Sequence, residues 1–133
     1  MNIFTRLIRF ARKRSPWVYV LNAGSCIGCD IEIGACLSPR YDIEHIGGLR
    51  QGSPKHADIL LITGPLTLRS AEAVRSIYAQ IPEPKAVVAI GSCPATGNVF
   101  AGSPTVEGGV LDAVPVDVFV PGCPPRPQAI LQG

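Results

Sequence analysis

Four short aliphatic runs constrain what this chain can fold into: residues 18–21, 59–62, 86–90 and 116–120. Each is β-branched or aliphatic for most of its length and has Gly or Pro nearby, the pattern of parallel strands covered on both faces. Residues 41–46 read as a fifth, weaker strand. Helical candidates lie between the runs. Over residues 68–81, Val74, Ile77, Tyr78 and Ile81 form an apolar stripe opposite Arg69, Glu72, Ser76 and Gln80, and Pro82 and Pro84 stop the helix. Strand–helix alternation of this kind predicts an α/β fold, an open and mostly parallel sheet with helices on both faces.

The 133 residues suit one compact domain with a real core. Composition agrees: 47% of residues are hydrophobic and 17% charged, so the chain has the apolar material that disorder lacks. The formal charge of +2 hides an asymmetry. Residues 1–14 hold Arg6, Arg9, Arg12, Lys13 and Arg14 with no acid, whereas the remainder carries more acids than bases. The body is therefore no nucleic-acid binder by charge. Residues 3–14 read as an amphipathic helix, with Ile3, Phe4, Leu7, Phe10 and Ala11 on one side and Arg6, Arg9 and Lys13 on the other, ended by Pro16. The expected organisation is a basic arm over residues 1–15 and a single domain over 16–133. The arm would lie in a groove between partner subunits or, as the weaker reading, against anionic lipid.

No apolar run approaches the roughly 18–20 residues that span a bilayer. The start of the chain also lacks the h-region of a signal peptide. A cytoplasmic chain is expected, in which five cysteines read as thiols or metal ligands rather than disulfides.

The cysteines sit where the strands end. The first run leads into Gly24-Ser25-Cys26-Ile27-Gly28-Cys29, the third into Gly91-Ser92-Cys93-Pro94, and the fourth into Pro121-Gly122-Cys123-Pro124-Pro125. In an open α/β sheet the carboxyl ends of the strands share one edge, where ligands bind. Cysteines separated by 63 and 29 residues can therefore meet. Gly28 and Gly122 let the backbone approach closely, and Ser92 precedes a candidate ligand. Four thiolates suit either zinc or an iron–sulfur cluster. Only one C-x-x-C pair is present, whereas structural zinc usually takes two, so iron–sulfur is the preferred reading and structural zinc the alternative. A thioredoxin-like use of Cys26 and Cys29 would leave Cys93 and Cys123 unexplained. Cys36 lies seven residues beyond Cys29, about 10 Å along a helix, and reads as a small buried hydrophobe.

The stretches "NAGSCIGCDIEI", "PRYDIE", "GSPKHADILLITGP", "PEPKAVVAIGSC" and "PVDVFVPGCPPRP" resemble the small subunit of membrane-bound, energy-converting NiFe hydrogenases. That family is similar to the cluster-bearing subunit of complex I, and the resemblance spans roughly residues 16–130. It implies a flavodoxin-like core. It also implies one 4Fe–4S cluster on Cys26, Cys29, Cys93 and Cys123, proximal to the NiFe site of a large catalytic partner, and no catalytic residue in this chain. The implied partners are that large subunit, further Fe–S subunits and membrane-embedded ion-translocating subunits, with no nucleic acid. The implied location is peripheral, on the cytoplasmic face of the membrane, and the implied reaction is reversible proton reduction to H2.

The complex I subunit carries two adjacent cysteines at the first ligand position, so the Cys26-x-x-Cys29 form favours hydrogenase over quinone oxidoreductase. A related sulfur-reducing complex could keep this subunit unchanged. Ile27 departs from the Asn expected in the hydrogenase family. Glu32, three residues after Cys29 on the same side of a helix, reads either as a partner contact or proton-linked group near the cluster or as a solvated or salt-bridged acid. Arg126, in its motif, reads as a contact to the cluster loop or the partner, and Asp30 as an early-helix acid favoured by the helix dipole.

Overall fold

The computed structural model describes residues 2–133; Met1, the first residue of the expected arm, lies outside them. The α-helices, in chain order, are α1 (Ile3–Arg14), α2 (Gly28–Cys36), α3 (Ser70–Gln80), α4 (Cys93–Thr96) and α5 (Pro127–Gln132). The strands are β1 (Trp17–Asn22), β2 (Leu49–Arg50), β3 (Ile59–Thr63), β4 (Leu66–Thr67), β5 (Ala86–Ile90), β6 (Val106–Gly108) and β7 (Val118–Val120).

The main sheet has five strands in the order β2-β1-β3-β5-β7, and every pairing is parallel. Counting only its own strands, this is the flavodoxin-like order 2-1-3-4-5, whose switch point lies between the first and third strands. The aliphatic runs explain why. Leu60 and Ile62 of β3 face one side, with Val87 of β5, and pack on Ala71 and Val74 of α3. Ile59 and Leu61 face the other side with Val88 and Ile90, against Ile33 and Cys36 of α2 and Ile130 of α5. Strands apolar on both faces are stable only between two helical layers, and the chain supplies both.

Register positions the site. Asn22 pairs with Thr63, Thr63 with Ile90 and Ile90 with Val120, so the last residues of four strands form one row. Their carboxyl-end loops leave the sheet side by side.

The sequence reading differs from the structure at three places. Residues 41–46 are turns, not a strand. Asp42 takes a φ of +41°, the Asp42 amide donates to the Ser38 carbonyl and the Gly47 amide to the Glu44 carbonyl, so the chain curls upon itself there. The edge strand is instead the two-residue β2. β7 starts at Val118 rather than 116, because the Asp117 carboxylate accepts the Val87 amide at 2.8 Å and takes a ladder position with its side chain. Finally, β4 and β6 form a separate antiparallel pair that has no counterpart in the aliphatic pattern.

Candidate metal centre

The loops after β1, β5 and β7 carry the four cysteines to the carboxyl edge of the sheet. The ladder continues past the strands: the Gly91 amide donates to the Val120 carbonyl at 2.8 Å, and the Ser92 amide donates to the Gly122 carbonyl at 2.9 Å. The Ser92 hydroxyl donates to the same carbonyl at 3.2 Å. These bonds draw Cys93 and Cys123 together. The Asn98 side-chain amide reports their closeness, since its Nδ2 lies 3.9 Å from Cys93 Sγ and 3.7 Å from Cys123 Sγ.

Cys29 enters from α2 and is buried, whereas Cys26 and Cys123 are exposed and Cys93 is intermediate. A Cβ at Gly91, whose φ is +95°, would stand 2.7 Å from Cys29 Sγ. The loop after β5 can therefore hold no side chain where the sulfur lies. On the β1 side, Gly64 presses on Ser25 so closely that a Cβ would overlap the Ser25 amide.

The four thiols sense one another. Burial pushes Cys29 up to about 11, and Cys93, Cys26, Asp30 and Cys123 push in the same direction. Burial also raises Cys93; the Asn98 bond pulls it back down, and Cys123 and Cys26 add to the rise. Four thiolates so placed repel one another and need a cationic centre to coexist at neutral pH. Among the described residues, no three His, Cys, Asp or Glu side chains are grouped for one bare metal ion.

Asp30 fastens the loop. Its carboxylate accepts Asn22 Nδ2 at 2.9 Å, Ser25 Oγ at 2.5 Å and Thr63 Oγ1 at 3.1 Å. Asn22 Oδ1 in turn accepts the amides of Gly24 and Ser25 at 2.9 and 2.8 Å. The early-helix acid of the sequence reading thus ties α2 to the ends of β1 and β3. Neither Asp30 nor Asn98 stood out in the sequence as a site residue; only the strand-end position of Asn22 and the short spacing from Ser25 to Asp30 could have signalled the first. Ile27 joins the two cysteines with a φ of +72°. A β-branched residue in the left-handed region costs about 1–2 kcal/mol, and Asn tolerates it better, which gives the departure at this position a physical meaning.

The remaining candidates lie around this edge or away from it. Gly28 borders the site, since a Cβ added there would lie 3.5 Å from Cys26 Sγ. Glu32 is half-buried and raises Cys36, after burial itself. Arg126 is exposed at the start of α5, next to buried Pro125 and Pro127. Cys36 stands apart; its thiol contacts the carbonyls of Glu32 at 3.4 Å and Pro127 at 3.7 Å, between α2 and α5. His56 packs edge-on to Trp17 at the opposite end of the sheet, with ring centroids 6.4 Å apart, and His45 lies exposed in the turns before β2.

The chain and its fold are both similar to known proteins. Residues 26–133 match the family described as NADH ubiquinone oxidoreductase, 20 Kd subunit. The chain belongs to this family. Among curated proteins, it is 60% identical over 120 residues to the probable membrane-bound hydrogenase subunit mbhJ of Pyrococcus furiosus, covering 90% of this chain and 72% of that one. It is 45% identical over 121 residues to formate hydrogenlyase subunit 7 of Escherichia coli, covering 91% of this chain but only 48% of the longer relative. It is also 42% identical over 128 residues to an NADH-quinone oxidoreductase subunit of an Anaeromyxobacter species, covering 96% and 73%. Among solved structures, a chain of the archaeal membrane-bound sulfane sulfur reductase superposes with a TM-score of 0.82 at 35% identity, covering 95% of this chain and 70% of that one. A chain of an NAD+-reducing NiFe-hydrogenase shares the fold, with a TM-score of 0.69 at 19% identity over 89% of this chain and 88% of that one. As a 20 Kd-subunit family member, the protein is a subunit of an oxidoreductase complex. Among the described residues, no helix is long and apolar enough to cross a membrane.

Proposed function

We propose that this chain is the electron-transfer subunit of a membrane-bound NiFe hydrogenase, holding one 4Fe–4S cluster on Cys26, Cys29, Cys93 and Cys123 next to the NiFe site of a large partner. The observation that carries the reading is the convergence of thiols from three strand ends on one partly exposed edge. The donor set fits: four sulfurs, a backbone held close by Gly91, and amides of the first turn of α2, which have no intrahelical acceptor. When bound, the cluster would pass single electrons between the partner's metal and further Fe–S subunits. The chain's own residues hold and orient it. Cys29 anchors the buried side, the Asp30 network fixes the Cys26 loop, and the positive end of α2 favours negative charge there. The exposed Cys26 and Cys123 mark the side at which a catalytic partner would approach.

The 60% identity to a hydrogenase subunit and the Cys26-x-x-Cys29 spacing support hydrogenase over a quinone-reducing relative. α1, whose apolar side chains are uncovered, is proposed to seat between partner subunits at the cytoplasmic face of the membrane, beside the ion-translocating subunits. The TM-score of 0.82 at 35% identity favours one second reading, a sulfane sulfur-reducing complex. Assaying the purified complex separates the readings. H2 evolution from reduced ferredoxin supports hydrogenase; sulfide release from polysulfide, or quinone reduction, without H2 overturns it.

A further inference from the structure

We infer that Asn98 is a positioning residue that raises the reduction potential of the group held by the cysteines, by donating from one side-chain amide to the sulfurs of both Cys93 and Cys123. The inference rests on the cluster reading above.

The geometry is specific to this residue. After α4 the chain reverses through Gly97, at φ +81°, and Asn98, at φ +48°. Two successive positive φ values turn the backbone back over the cysteine edge. The turn is held by the Asn98 amide donating to Thr96 Oγ1 at 3.3 Å and the Ala101 amide donating to the Asn98 carbonyl at 3.1 Å. Glycine would satisfy that backbone as well as asparagine does. What asparagine adds is the side chain, and Nδ2 lies 3.9 Å from Cys93 Sγ and 3.7 Å from Cys123 Sγ. These two cysteines follow different strands, β5 and β7, so one half-buried amide spans candidate ligands separated by 30 positions.

The physical consequence follows from charge. Reduction adds a negative charge to a cluster and its thiolates. A hydrogen-bond donor aimed at the sulfurs stabilises the more negative state, and so raises the potential. An amide shared between two thiolates acts on both at once. A residue chosen only for its backbone would have no such effect.

The test uses the purified complex, with an EPR-monitored redox titration following the signal that Cys123→Ser abolishes. Asn98→Gly keeps the backbone and removes the donor. Asn98→Asp keeps the shape and replaces the donor with a carboxylate. The expected result is retention of the signal in both variants. In Asn98→Gly the reduction equilibrium weakens about tenfold, a fall of roughly 59 mV for one electron. In Asn98→Asp the fall is larger. An unchanged or raised midpoint in Asn98→Gly overturns the inference, as does loss of the signal in both variants, which would make Asn98 a residue of assembly. Absence of any Cys123-dependent signal in the unaltered complex is a different failure: it removes the cluster reading and this inference together.

Discussion

The two ends of the main sheet are held together in opposite ways. At the carboxyl end the loops are tied by the Asp30 network and by amides that extend the ladder through Gly91 and Ser92. Glycines there leave no room for a side chain. At the amino end α1 has no buried residue, and Ile3, Phe4, Leu7 and Phe10 are all more than half exposed. Arg12 ties it down, pairing with Asp58 at 3.1 Å and donating to the Pro84 carbonyl at 3.4 Å. One end is built to hold atoms at fixed positions; at the other, α1 is held by Arg12 and, at its last turn, by the close approach of Gly47 to the Arg14 carbonyl. The first end is where the proposed chemistry lies, and the second is where the apolar side chains of α1 are uncovered.

Substitutions at the two ends should differ accordingly. The largest effect is expected for Gly91→Ala, which combines a left-handed φ with a Cβ 2.7 Å from Cys29 Sγ. Backbone strain alone costs about 1–3 kcal/mol, and the displaced sulfur adds to it. Iron content of the purified complex should fall to a small fraction of the unaltered value; full occupancy would show that the close approach is not needed. Asp30→Asn should come next. It weakens charge-assisted bonds to Asn22, Ser25 and Thr63, each worth about 1.5–3 kcal/mol at most, so a net loss of roughly 1–2 kcal/mol is expected in denaturant unfolding. An unshifted midpoint would mean that the network follows the loop rather than holding it.

Ile27→Asn should act in the opposite direction, raising stability by about 1 kcal/mol because asparagine accepts the left-handed φ of +72°. Iron content should not change. A loss of stability would show that the exposed Ile27 side chain packs on something that outweighs its strain. Arg12→Ala, at the other end, should change unfolding by less than about 1 kcal/mol, as partly exposed ion pairs do, and leave iron untouched. A loss of iron in that variant would collapse the distinction between the two ends.

The sequence carried the frame of this site further than its fastening. The shared edge of Cys26, Cys29, Cys93 and Cys123 was legible because cysteine is rare and each follows an aliphatic run by a few residues, so strand ends and candidate ligands were read together. Cys36 was legible by reach along a helix, and its thiol is taken up between α2 and α5. Asp30 was visible only as a helix-start acid, since its bond to Thr63 crosses 33 positions and depends on β1 and β3 being neighbours. Asn98 lies in a stretch without periodicity, and its value depends on a chain reversal at Gly97 that no local pattern announces. Residues 41–46 misled because alternation of Tyr41, Ile43 and His45 imitates a strand. The turn at Asp42 and the glycines at 47 and 48 decide otherwise.

The central claim is that these four thiols hold an iron–sulfur cluster. Its most direct test is paired analysis of iron, zinc and acid-labile sulfide in the purified complex with and without Cys123→Ser. The account predicts a loss of about four iron and four sulfide per chain in the variant, with zinc unchanged. Equal iron and sulfide in both preparations, or a loss of zinc without sulfide, would contradict it.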